Sequence, residues 1–302
     1  MIRALWLAVL APLLACQAKQ GGASGAHRRE FDGERAYADV QQQVAFGPRI
    51  PNTVGHERTG DWILERLRAT ADTVVVQGIS HATRHGGALH LRNFLARFRP
   101  SAPARVLFLA HWDTRPRADR SANLGAQRMP VPGANDGASG VAVLLGVADA
   151  LKAKAPAVGV DLLFVDGEDY GDFADSNEVL IGSRYFVAHR PPEYAPLFAV
   201  LFDMVGDKNL DIYYEGNSEA AAPEVVERVW RAASDLGYGG SFLRGVKHTL
   251  TDDHVPLQRA GIHAIDVVDF DYPYWHTTDD TIDKVGAASL QIVGDVAVAL
   301  VR

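Results

Sequence analysis

The chain has 302 residues, 47% apolar and 22% charged, an ordinary globular balance that excludes a wholly disordered protein. Thirty basic against 37 acidic side chains leave a net charge of −7, the wrong sign for a protein that works chiefly on nucleic acid. The single cysteine excludes an internal disulfide and any structural zinc held by thiolates. A bound metal must be held by His, Asp and Glu.

The first sixteen residues read MIRALWLAVLAPLLAC, with one basic residue, Arg3, before an apolar run over residues 4–15. Such a run is too short for a bilayer core about 30 Å thick at about 1.5 Å per residue, and its length and flanks fit the hydrophobic region of a secretory signal. Leu13-Leu14-Ala15-Cys16 resembles a bacterial lipobox. That implies cleavage before Cys16, acylation of its thiol, and a protein of the bacterial cell envelope, attached to the membrane through lipid alone and facing the periplasm or the exterior. The other reading is a soluble signal sequence with an incidental cysteine. Residues 17–30, QAKQGGASGAHRRE, carry no large apolar side chain and read as a flexible tether. Residues 31–302 then form a single folded body, without an internal repeat or a second linker.

Two helical patterns come first, GERAYADVQQQVAF and GHERTGDWILERLRAT, the second with Trp62, Ile63, Arg66 and Leu67 at turn spacing. Strand-like runs TVVVQ, LHLRNFLARF and RVLFLAHWD follow. Residues 137–153 place Val141, Leu144, Leu145, Ala148 and Leu151 on one helical face. VDLLFVDGED and FAVLFDMVG are continuous apolar runs without polar alternation, the pattern of strands buried on both faces of a parallel sheet. A helix over about residues 222–236, a strand at HAIDVVDF and a final helix from about residue 287 complete the series. The alternation predicts an α/β fold, an open and mostly parallel sheet sandwiched by helices.

What ends each apolar strand is chemical. RVLFLA runs into His111-Trp112-Asp113, DLLFVDG into Glu168-Asp169, and AVLF into Asp203, while HAIDVVDF leads through a short loop to Trp275-His276. Open parallel sheets bind ligands outside the carboxyl ends of their strands, so four strands deliver His, Asp or Glu to one edge. Asp136 joins them from the Gly-rich PGANDGASG loop. Any one piece is ordinary; an HxD triplet arises often by chance, and a strand-end carboxylate is usually solvated. Together, two His and three Asp make an oxygen- and imidazole-rich set suited to zinc. Three such ligands with an open position form a Lewis acid that polarises a carbonyl or activates water. Glu168, beside a ligand, is placed for general acid/base work, and Asp113 is spaced to hold the His111 ring. Trp112 and Trp275 flank ligand residues and read either as pocket walls or as ordinary packing. His81, His85 and His90 lie in a polar turn and read as solvated; His27 belongs to the tether. His56, His189, His248 and His263 have no neighbouring carboxylate pattern and read as surface or satisfied core residues.

HWD, PGANDGASG, VDGED, LFDMVG, DDH and WHTTDD stand in an order and spacing that resemble the M28 zinc peptidase family, from about Phe46 to the C-terminus. Within it, VDGEDYGDFADSNEVLIGSRYF and DDHVPLQRAGIHAIDVV are most similar to the glutaminyl cyclase branch. The resemblance implies a zinc-exopeptidase-like catalytic domain in which Asp136, Asp169 and His276 hold the principal zinc. His111 and Asp203 would complete a two-metal site bridged by Asp136, so that one zinc ion or two are bound. The substrates it implies are peptide or protein N-termini. A cyclase turns N-terminal Gln into pyroglutamate and releases ammonia, using a carboxylate network that matches Glu168, Asp203 and Asp252 here. An aminopeptidase hydrolyses the first peptide bond and usually lacks an acid at the position of Asp252. The segment between Asp169 and Gly182 has no Trp, unlike many cyclases, and Asp169 stands where eukaryotic enzymes commonly carry Glu. The cyclase is the first expectation and the aminopeptidase the alternative. A non-catalytic binder would have lost Glu168 or a ligand, and none is lost.

Overall fold

The structure, a computed structural model, describes residues 1–2, 30–174 and 177–302. Cys16, the signal region and nearly all of the tether lie outside the described residues. Helix α1 (Gly33–Ala45) is capped by the Asp32 carboxylate, which accepts the Arg35 N–H at 3.1 Å. Helix α2 (Val54–Thr70) is capped by Thr53, and its apolar stripe puts Ile63 and Leu67 fully inside. Strands β1 (Thr73–Ala82) and β2 (Ala88–Phe98) form an antiparallel hairpin. Its turn uses Gly86 and Gly87 at φ of +88° and +90°, a region closed to most side chains.

Strand β3 (Arg105–His111), helix α3 (Ala138–Ala153) and strand β4 (Gly159–Val165) follow. Helix α3 is buried on nearly every side, because it passes between the sheet and the helices α1 and α8 (Ala287–Ala299). The Phe31 ring fills the space between α3 and α8; a Cβ on Gly146 or Gly294 would come within 2.4 Å of it. The chain continues through α4 (Ile181–His189), β5 (Ala199–Asp203), β6 (Ile212–Glu215), α5 (Gly216–Ala221), α6 (Pro223–Asp235), β7 (Phe242–His248), α7 (His254–Arg259) and β8 (Ala264–Val268).

The main sheet has the order β1-β2-β4-β3-β5-β8. Its last four strands are parallel to one another, and every residue in them is buried. This is the doubly covered parallel core that the continuous apolar runs predict. The β1–β2 hairpin is antiparallel and forms the exposed edge. A second, two-stranded sheet of β6 and β7 has no counterpart in the sequence reading. No described helix is long and apolar enough to cross a membrane. Because β3, β4, β5 and β8 share one direction, His111, the segment after Val165, Asp203 and the segment after Val268 all emerge at one edge of the sheet.

Candidate metal centre

His111 is the last residue of β3, and its ring is 1% exposed. Its Nε2 lies 3.1 Å from Asp136 Oδ1 and 3.1 Å from Asp203 Oδ1. Asp136 turns its other oxygen towards His276, whose Nε2 stands 3.6 Å from Asp136 Oδ2 and 3.3 Å from Asp169 Oδ1. The ligand atoms therefore fall into two buried triads, His111–Asp136–Asp203 and Asp136–Asp169–His276, each within 4.8 Å and sharing Asp136. Nitrogen and oxygen ligands about 2.0–2.1 Å from a tetrahedral zinc stand about 3.3 Å from each other. The separations of 3.1–3.6 Å fit that edge length. Asp169 Oδ2 is buried without a hydrogen-bond partner, an arrangement that a cation resolves and an empty interior does not.

Electrostatics point the same way. Burial pulls the His111 imidazole down, but Asp113, Asp136 and Asp203 outweigh it and hold the ring well above the usual range. Burial likewise opposes the charge on His276, and Asp169 and Asp119 lift it to about 9. Protons on these rings stand in for the positive charge that the carboxylates demand. Glu168 belongs to neither triad. Burial, against the opposing pull of His111 and with the repulsion of Asp169 and Asp252, raises its carboxyl well above the ordinary range. Asp252, in the turn before α7, is lifted to about 7 by burial and by the charge of Asp203.

Several buried side chains fix the ligands. Asp113 lies 3.6 Å from His111 Nδ1, and its shorter contacts go elsewhere: its two oxygens accept the Glu168 and Asp169 N–H groups at 3.0 and 3.1 Å. It shapes the turn that presents both residues. Asp280 accepts the Asn135 and Asp136 N–H groups at 2.8 and 3.1 Å and the Tyr272 hydroxyl at 2.7 Å. Arg49, with no exposed surface, donates to the carbonyls of Trp112, Pro132 and Gly133 and so ties the Gly-rich loop to β3. Arg115 bonds Asp169 at 2.7 Å and Asp119 at 2.9 and 2.8 Å; Asp119 in turn faces His276 Nδ1 at 3.6 Å. Gly137 permits the approach of the loop to His111: a Cβ there would lie 2.5 Å from Nε2. His276 itself adopts φ +55°, the sparsely populated region in which functional residues concentrate.

A cleft of about 350 Å³ opens above this floor. Asp136, Glu168, Asp203, Asp252 and His276 reach into it, and Phe173, Phe270, Leu250 and Trp275 supply apolar wall. The structure thus gathers His111, Asp136, Asp169, Asp203, His276, Glu168, Asp252 and Asp113. Trp275 is a wall, its ring stacked 4.0 Å from that of His276. Trp112 is not: it is fully buried, stacked 4.3 Å from His56 and bonded to the Arg92 carbonyl. His56 is a satisfied core residue, its Nε2 2.9 Å from both Asp166 oxygens. Sequence reasoning misses Arg49, Arg115, Asp119 and Asp280. Only Asp119, four residues after Arg115, and Asp280, in the WHTTDD motif, leave a recognisable trace.

Residues 93–301 match the model of peptidase family M28, and the chain belongs to that family. Among solved structures it is similar to a glutaminyl cyclase of Porphyromonas gingivalis, with 37% identity, a TM-score of 0.86, and 90% of this chain and 98% of that one covered. It is equally similar to a leucine aminopeptidase precursor of Bacteroides thetaiotaomicron, with 37% identity, a TM-score of 0.86, and 90% and 97% covered. Aminopeptidase YwaD of Bacillus subtilis is 28% identical over 211 residues, 66% of this chain. The chain spans 41% of that relative's length.

Proposed function

We propose that the protein is a zinc-dependent glutaminyl-peptide cyclotransferase, converting the N-terminal Gln of peptides to pyroglutamate with release of ammonia. The observation that carries this reading is Asp252. It enters the same cleft as Glu168 and Asp203, belongs to neither metal triad, and has its carboxyl raised to about 7 beside a second carboxyl that is also raised. Such a group has work to do when a proton must be kept in the site rather than released to water. Zinc on Asp136, Asp169 and His276, when bound, supplies the positive charge that polarises the side-chain amide. The substrate's α-amine forms the new C–N bond to the amide carbon while the bond from that carbon to the amide nitrogen breaks. Glu168 takes the proton shed by the α-amine and hands it to the departing nitrogen, which leaves as ammonia. Asp203 and Asp252 hold the proton balance of Glu168. The solved cyclase of similar length supports the reading.

A zinc aminopeptidase is the second reading, favoured by the intact His111–Asp136–Asp203 triad and by the similar aminopeptidases. The two are separated by measuring ammonia release from Gln-initiated peptides beside amine release from aminoacyl anilides, for wild type and Asp252→Ala. Cyclisation predicts ammonia from wild type and its strong loss in the variant. Rapid hydrolysis of ordinary N-terminal residues, without ammonia from Gln, installs the aminopeptidase instead. We further infer a lipid anchor on Cys16 in the bacterial cell envelope, supported by the lipobox-like Leu13-Leu14-Ala15-Cys16. Cys16→Ser should abolish detergent-dependent membrane association, and unchanged association would end that reading.

A further inference from the structure

At the mouth of the cleft Arg120 is exposed, and its guanidinium lies over the Trp275 ring, 5.1 Å from the centroid. Its backbone is pinned to the site as well, the Arg120 N–H donating to the His276 carbonyl at 3.1 Å. Stacking on an aromatic face orients an arginine while leaving its in-plane donors free. The other guanidinium of the cleft, Arg115, is consumed by Asp119 and Asp169. Among the described residues Arg120 has no carboxylate partner, although a row of carboxylates lies below it. A positioned, unpaired cation beside a substrate cleft is suited to a substrate anion.

The chemistry at the floor fixes where that anion must be. In the function proposed above, on which this inference rests, the α-amine and side chain of the first residue occupy the floor, so the chain leaves through the mouth. We propose that Arg120 is a specificity-determining residue whose guanidinium receives a carboxylate carried one residue beyond the reacting N-terminus. An acidic side chain in the second position supplies it, and so does the free C-terminus of a dipeptide. Asp172, exposed at the same mouth with its Oδ1 accepting the Ala174 N–H and, among the described residues, without a cation partner, is the competing charge and would favour a basic residue.

The test compares Gln-Glu-Ala amide, Gln-Gln-Ala amide and Gln-Lys-Ala amide, each followed by ammonia release and by amine release. The acidic peptide should lead the neutral one about fivefold in kcat/KM, the strength of an exposed ion pair, and the gain should lie in KM. Arg120→Gln should erase the difference, and Arg120→Glu should transfer the lead to the lysyl peptide. Gln-Ala against its amide separates the two sources of carboxylate: a lead for the free acid adds the C-terminus to the side chain. Equilibrium binding of the same peptides to the Glu168→Gln protein should repeat the order without turnover. In wild type, raising the salt concentration should shrink the preference, which keeps the test independent of how the variants fold. A preference unmoved by salt or by either substitution, or a lead for the lysyl peptide in wild type, overturns the proposal. If the peptides are hydrolysed rather than cyclised, the cyclase reading fails while the order of second residues still judges Arg120.

Discussion

At the residue scale, the proposed function assigns metal holding and proton transfer to different side chains of one turn. Asp169 and Glu168 are neighbours presented by one turn, and Asp113 accepts the N–H of each. Yet Asp169 converges with Asp136 and His276, while Glu168 stands outside both triads. Glu168→Gln keeps the shape of the side chain and removes its capacity to accept a proton. It should lower kcat about 10²- to 10⁴-fold, the usual worth of a general acid/base, at unchanged metal content. Elemental analysis beside steady-state kinetics checks this. Metal lost together with activity would move Glu168 among the ligands.

At the scale of elements, the loops after the strands are as constrained as the strands. Asp136 is held by its backbone: its N–H and that of Asn135 both go to Asp280. Asp280→Ala would leave two buried donors unpaired and free the ligand loop to shift. The expected result is about 10- to 100-fold weaker metal binding, the common effect of losing a group that orients ligands. Competition with a chelator measures it, and an unchanged affinity would reduce Asp280 to a packing role. The strand ends were legible in the sequence because doubly buried parallel strands read as unbroken apolar runs; β3 and β5 stop at His111 and Asp203, while β4 and β8 lead through short segments to Asp169 and His276. The supports were not legible, since Arg49 and Asp280 act across 63 and 144 positions on backbone groups that leave no pattern. Neither was β7, whose run FLRGVKH is mostly exposed, nor α5 and α7, each six residues long and too short to establish a helical period. Trp112 remained ambiguous for a related reason: a residue between two site residues on a strand end can point either into the cleft or under it.

For the whole molecule, the consequence is an edge crowded with acids that fold at a cost without a cation. Burial and mutual repulsion raise Glu168, Asp253 and Asp266 well above the ordinary range and Asp252 to about 7. In the unfolded chain such groups ionise near pH 4. The metal-free fold therefore keeps protons that the unfolded chain has released, and its stability falls as the pH rises from about 4 through about 7. The two rings act in the same direction. His111 well above its usual value and His276 at about 9 contribute stability that is complete below about pH 6.5 and is lost as the pH climbs through their raised values. A bound metal replaces those protons, needs neutral imidazole and ionised carboxylate, and so binds more tightly as the pH rises. Its stabilisation grows with the ratio of free metal to Kd. The gap in Tm between protein at fixed free zinc and chelated protein should therefore widen from pH 5.5 to pH 8. Thermal melts at both pH values measure the gap directly. A gap that stays constant or narrows would mean that metal binding displaces no protons at this edge, and that the two His and three Asp are not where the ion is held.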